Sequence, residues 1–180
     1  PVFERLREEW TDRIELQGAC LVGCDMIDLH GRFQQTARLV KHYGGVLGMV
    51  TYPTEGLDAL LRDFFALAGE LDLHVDLHVD ETMDPTVETL RSVCQAVLDT
   101  GFQLPVTVGH VCSLSAQTHD RAMDTLDLVA KAGLNVVSLP MCNLYLQDRQ
   151  QHQTPRLRGV TRVHEMKQRG IPISFASDNT

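Results

Sequence analysis

The stretch LHVDLHVDE, residues 73–81, alternates strictly, with Val75, Leu77 and Val79 on one side and His74, Asp76 and His78 on the other. A period of two is the mark of a β-strand. Both faces of a strand in a parallel sheet are normally apolar, so a face of imidazoles and carboxylates is costly unless metal, water or hydrogen bonds satisfy it. A barrel whose interior is lined for a ligand resolves that conflict. His78 at the strand end and Glu81 three residues on then reach the barrel mouth, where active sites of this architecture lie.

Outward from this strand the chain repeats. Short runs rich in Val, Ile or Leu at 15–22, 46–52, 73–79, 105–111, 135–139 and 171–177 alternate with periodic stretches at 32–42, 57–71, 85–98, 116–132 and 161–168. Alternation of this kind predicts βα units on a parallel sheet. Gly44, Gly45, Gly101, Gly133 and Gly170 punctuate the ends of the expected helices. Asp84 before Pro85 predicts an N-cap with Pro at the first helical position, and Thr161 is expected to cap the helix carrying Glu165. The polar stretch 142–159, CNLYLQDRQQHQTPRLRG, is expected to be a long functional loop. About six consecutive units without a reversing hairpin favour an α/β fold of the (β/α)8 TIM-barrel type, incomplete here, with the first strands missing upstream. The chain starts at Pro1 and stops at Thr180, and residues 1–180 are expected to be the C-terminal larger part of such a barrel.

Two further residues share the strand-end position. His110 closes VTVGH 110 − 78 = 32 residues after His78, about one βα unit, and Asp178 closes IPISFASD 178 − 110 = 68 residues later, about two units. Below Asp178, Ser174 and Ala176 leave room on the same face for an ion or a substrate.

Composition narrows the partners. The 180 residues carry a net charge of −8 with 43% hydrophobic content, a globular balance without the clustered Lys and Arg that nucleic acid or an anionic membrane requires. No apolar run approaches the length of a membrane span. Five cysteines, odd in number and scattered, form no C-x-x-C pair, so a reducing cytoplasmic location is expected. A small-molecule substrate is the expected partner, with homo-oligomerisation left open.

In order and spacing, HVDE at 78–81, GH at 109–110, NLYLQDR at 143–149, RGVTRVHEM at 158–166 and SDN at 177–179 resemble the cytosine deaminase-like family of the amidohydrolase superfamily. The resemblance implies one divalent ion, iron or zinc, coordinated by His78 and Asp178. It implies that Glu81 handles protons and that His110 bonds the attacked group or the activated water. Catalysis would then rest on Glu81, His110 and Asp178. A metal-activated water would attack a small aminated heterocycle, cytosine-like, and release ammonia. Hydrolysis of a cyclic amide or another heterocycle, and a non-catalytic barrel fragment, are the alternatives.

Two departures, and one contrast with binuclear relatives, bear on this expectation. The H-x-H pair of the family's first strand, which would complete the metal ligands, is absent. GMVTYPTEG, residues 48–56, holds no Lys to bridge two metals, which favours a mononuclear site. Thr54 stands where cytosine deaminases resemble one another in having a Gln, and Asn179 where they have a second Asp. These two substrate-binding candidates offer the ring different donors and acceptors.

Overall fold

The structure, a computed structural model, describes residues 2–29 and 31–178. Six strands form one sheet: β1 (Ala19–Cys20), β2 (Val46–Thr51), β3 (Val75–Val79), β4 (Val106–His110), β5 (Asn135–Ser138) and β6 (Ile173–Phe175). They lie side by side in sequence order, and each neighbouring pair is parallel. A doubly wound sheet reverses its strand order at a switch point, whereas a barrel never does. The unbroken order is that of an incomplete (β/α)8 barrel, open among the described residues with β1 and β6 at its edges.

Among the described residues seven helices accompany the strands: α1 (Val2–Glu9), α2 (Arg32–His42), α3 (Leu57–Glu70), α4 (Thr89–Thr100), α5 (His119–Ala132), α6 (Pro140–Leu146) and α7 (Val163–Gln168). In α3, Leu57, Leu61, Phe64, Phe65 and Ala68 recur at helical spacing and are buried; in α4, Leu90, Val93, Cys94 and Val97 do the same. They cover the Val75, Leu77 and Val79 face of β3, within one continuous core. Each such side chain withdrawn from water contributes about 1.5–3 kcal/mol before the entropy of ordering it is counted. Gly101 and Gly133 end α4 and α5 in the left-handed conformation expected of them. Gly48 in β2 has a steric cause of its own: a Cβ there would lie 2.5 Å from the Cys20 carbonyl oxygen and 2.7 Å from that of Asp76.

Several boundaries differ from the expectation. The first strand, expected over 15–22, pairs only at Ala19–Cys20, with an isolated bridge from Gly23 to Val50. The helix expected from Pro85 begins at Thr89, because the Asp84 carboxylate closes a turn on Thr86, accepting its N–H at 2.8 Å and its hydroxyl at 2.6 Å. Thr161 does not cap α7; its hydroxyl donates to the Val111 carbonyl at 2.9 Å and ties the chain to the end of β4. The stretch 142–159 is not loop throughout. Pro140, with its φ fixed for a first helical turn, starts α6, which carries Cys142 and Asn143 inward before the chain becomes irregular.

The buried cap of α4 is Asp80. Its carboxylate accepts from Thr89 N at 2.9 Å, Thr89 Oγ1 at 2.6 Å and Leu90 N at 3.1 Å, while its carbonyl accepts from Cys112 N at 3.0 Å. The Thr51 hydroxyl lies 2.8 Å from that of Thr89 and 3.2 Å from the His78 carbonyl, and donates its one proton to one or the other. One buried residue therefore ties the ends of β2, β3 and β4 to the start of α4, its carboxylate holding α4 and its main-chain carbonyl the turn after β4. Asp80→Ala would leave buried donors without acceptors, and a loss of about 3 kcal/mol is expected in urea unfolding of the full-length protein. A loss below about 1 kcal/mol would show that water replaces the carboxylate.

Candidate active site

The alternation of β3 is realised in burial: Val75, Leu77 and Val79 are buried, and Asp76 and His78 half-buried. His78 sits opposite Gly109 in the register, so its imidazole emerges beside a position with no side chain. His110 pairs with Val79 and by parity belongs to the apolar side. The backbone overrides this: His110 has φ 70° and Val111 φ 45°, a left-handed pair in which the β-branched residue is a true outlier. Hydrogen bonds of Val111 N to the Val79 carbonyl at 2.9 Å and of Thr161 to the Val111 carbonyl hold the turn in place. The His110 ring is brought against that of His78, centroids 4.8 Å apart, with Nε2 3.2 Å from His78 Nδ1.

Two carboxylates flank that ring. Glu81 Oε1 lies 3.5 Å from His110 Nδ1, and Asp178 Oδ2 lies 3.9 Å from Nε2. Asp80 at φ 50° and Asp178 at φ 61° repeat the left-handed turn at two more strand ends. His110 is 1% exposed, and burial together with His78 pushes its imidazole down to about 4 against the upward pull of Asp178. Burial, then the negative charge of Asp178, raises the Glu81 carboxyl above its ordinary range. The four residues expected from the sequence, His78, Glu81, His110 and Asp178, are thus gathered at one end of the sheet.

Thr54 is placed differently. It lies in the loop after β2 and lines a cavity of about 360 Å³ with Thr86 and Thr89, which none of those four residues lines. Asn179 lies outside the described residues.

The structure adds residues to which the sequence assigned no role. Asn143 on α6, 1% exposed, has its Nδ2 3.1 Å from His110 Nδ1. Cys142 Sγ donates toward Glu81 Oε1 at 3.9 Å, and its thiol is pushed up to about 12 by burial and by the two carboxylates. Gln147 Nε2 donates to the Glu81 carbonyl at 3.4 Å. The motif NLYLQDR contains two of the three, but only a helix at this position turns them to the site.

A divalent cation fits the donors. One ligand atom each from His78, Glu81 and His110 lies within 4.8 Å of the others, and so do those of Glu81, Cys142 and Asp178. His78 belongs to the first group and Asp178 to the second, with Glu81 common to both. All five cysteines are free.

Barrel order, strand-end imidazoles and paired carboxylates coincide with a family match: the chain belongs to the amidohydrolase family, whose profile matches residues 9–180. It is 47% identical over 183 residues to a pterin deaminase of Rhizobium rhizogenes (strain K84 / ATCC BAA-868), covering 99% of this chain and 41% of that protein. Among solved structures it is similar to 5-methylcytosine deaminase from Klebsiella pneumoniae liganded with 5-fluorocytosine, with a TM-score of 0.81 and 25% identity over 98% of this chain and 43% of that one. In fold it also matches N-isopropylammelide isopropylaminohydrolase from Burkholderia multivorans, with a TM-score of 0.71 and 20% identity over 98% of this chain and 42% of that one. The chain spans about two fifths of the length of these relatives. Among the described residues no helix is long and apolar enough to cross a membrane.

Proposed function

We propose that the full-length protein is a hydrolytic deaminase that releases ammonia from an amino-substituted heterocycle, and that this ring is pterin-like rather than cytosine. The observation that carries the chemistry is a single buried imidazole, His110, with Glu81 3.5 Å from one nitrogen and Asp178 3.9 Å from the other. The likeness to a pterin deaminase supports the ring, as does Thr54 at the position of a pyrimidine-reading Gln.

His78 and Asp178 would hold one iron or zinc ion, with residues 1–180 forming the larger C-terminal part of the barrel around it. Bound there, the ion supplies Lewis acidity and brings the pKa of water toward about 7. Asp178 accepts a proton from the attacking water as its oxygen bonds to the amino-bearing ring carbon. Glu81, its carboxyl raised by burial and by Asp178, delivers a proton to the adjacent ring nitrogen. His110 donates a hydrogen bond to the oxygen on which charge develops. Asp178 then passes its proton to the amine, which leaves as ammonia as the C–N bond breaks, and the hydroxyl proton goes to the Glu81 carboxylate as the ring carbonyl forms. Asn179, which follows Asp178 in the sequence, is assigned to reading the ring, whereas Thr54 lines a cavity apart from the four site residues.

An ammonia-release screen of the full-length protein on pterins, amino-substituted triazines and cytosine tests the reading. A pterin is expected to exceed cytosine at least about tenfold in kcat/KM, which corresponds to about 1.4 kcal/mol of transition-state discrimination. Cytosine as the best substrate would overturn the ring assignment, and no ammonia from any ring would overturn the activity.

A further inference from the structure

His110 Nδ1 faces two groups with opposite demands. The amide nitrogen of Asn143 lies 3.1 Å away and requires a lone pair; the Glu81 carboxylate lies 3.5 Å away and requires an N–H. A neutral imidazole carries one proton, so the group that claims Nδ1 decides what Nε2 presents. With Nδ1 donating to Glu81, Nε2 is a bare lone pair suited to a metal. With Nδ1 accepting from Asn143, Nε2 carries the hydrogen and is a donor.

Distance favours the amide, since 3.1 Å lies inside the usual N–H hydrogen-bond range and 3.5 Å outside it. Nε2 then has acceptors before it, His78 Nδ1 at 3.2 Å and Asp178 Oδ2 at 3.9 Å. The backbone that carries this amide is fixed: Asn143 N donates to the Leu139 carbonyl at 3.0 Å, and the Asn143 main-chain carbonyl accepts from Gln147 N at 2.9 Å. Gly159, at φ 74°, packs over it so closely that a Cβ there would lie 3.2 Å from Asn143 Cβ. With its side chain 1% exposed, Asn143 has no water to turn to.

We propose that Asn143 is a positioning residue that locks His110 in the Nε2–H tautomer, keeping the ring a hydrogen-bond donor to the reacting group and out of the metal's coordination shell. The catalytic part of this statement rests on the deaminase reading above; the tautomer does not.

Asn143→Asp is the discriminating variant, because it preserves shape and replaces the N–H donor with an acceptor. Histidine side-chain nitrogen NMR of the zinc-loaded full-length protein is expected to show His110 protonated at Nε2 in the wild type and at Nδ1 in the variant. The variant's kcat should fall at least about 10²-fold at nearly constant KM, whereas a residue needed only for packing would tolerate the isosteric change. A wild-type His110 protonated at Nδ1 overturns the proposal, and that spectrum requires no variant to fold. So does an Asn143→Asp protein that keeps the Nε2–H form, or one whose kcat stays within about threefold of wild type. If the wild type releases no ammonia, the deaminase reading fails alone and the spectra still decide the tautomer.

Discussion

His78→Ala is expected to yield a folded full-length protein that loses its metal on dialysis and has no measurable turnover. The side chain is half-buried on the polar face of β3, so truncating it leaves the apolar face and the core untouched. What it removes is one of the two proposed ligands, an imidazole nitrogen grouped with the Glu81 carboxylate within 4.8 Å. Losing a direct ligand should weaken binding by more than the roughly 10–100-fold typical of losing an outer partner. Metal content of the purified variant, with thermal unfolding as the control for folding, checks this. Wild-type metal stoichiometry in His78→Ala would remove the residue from the ligand set.

Glu81→Gln is expected to do the reverse: retain the metal and the fold, and lose at least about 10²-fold in kcat. The amide keeps the volume and a hydrogen-bonding oxygen but cannot carry a proton between water and ring. Its backbone is fixed independently, through Gln147 on its carbonyl and the hydrogen bonds of the preceding Asp80, so the substitution should not move the loop. Metal content and turnover measured on the two variants side by side separate holding the ion from moving the proton. Near wild-type kcat in Glu81→Gln would exclude the carboxylate from proton transfer.

Much of this was legible in residues 73–81. A two-residue period with a polar face left few options for a parallel strand, and a spacing of 32 residues to His110 put the imidazoles on adjacent strand ends, as the register of β3 and β4 shows. The reach of His110 was not legible, since its parity is that of Val79 and only the left-handed backbone at residues 110 and 111 brings its ring to His78. Helix α6 was hidden because its 7 residues, about two turns, are too few for a periodicity to emerge, and the polar run behind it resembles a loop. Asp80 was visible as part of HVDE, but its work is done on Thr89 and Cys112, contacts that no local pattern encodes. Asp84 illustrates the opposite error, an Asp-Pro signal that closes a turn on Thr86 instead of opening a helix.

The Asp80 clamp has a bearing on motion. Loops at the strand ends of a barrel are ordinarily its most mobile parts, and their amide protons exchange quickly with solvent. Here the amides of Thr89, Leu90 and Cys112 all donate to one residue that is 2% exposed, and Thr51 ties the end of β2 to the same group. Releasing any of them uncovers buried polar atoms on two or three elements at once, so these amides should open only with the surrounding core and exchange as slowly as those of the central strands. The floor under Glu81 and His110 would then behave as one rigid plate, leaving slow rearrangement to the irregular stretch between α6 and α7.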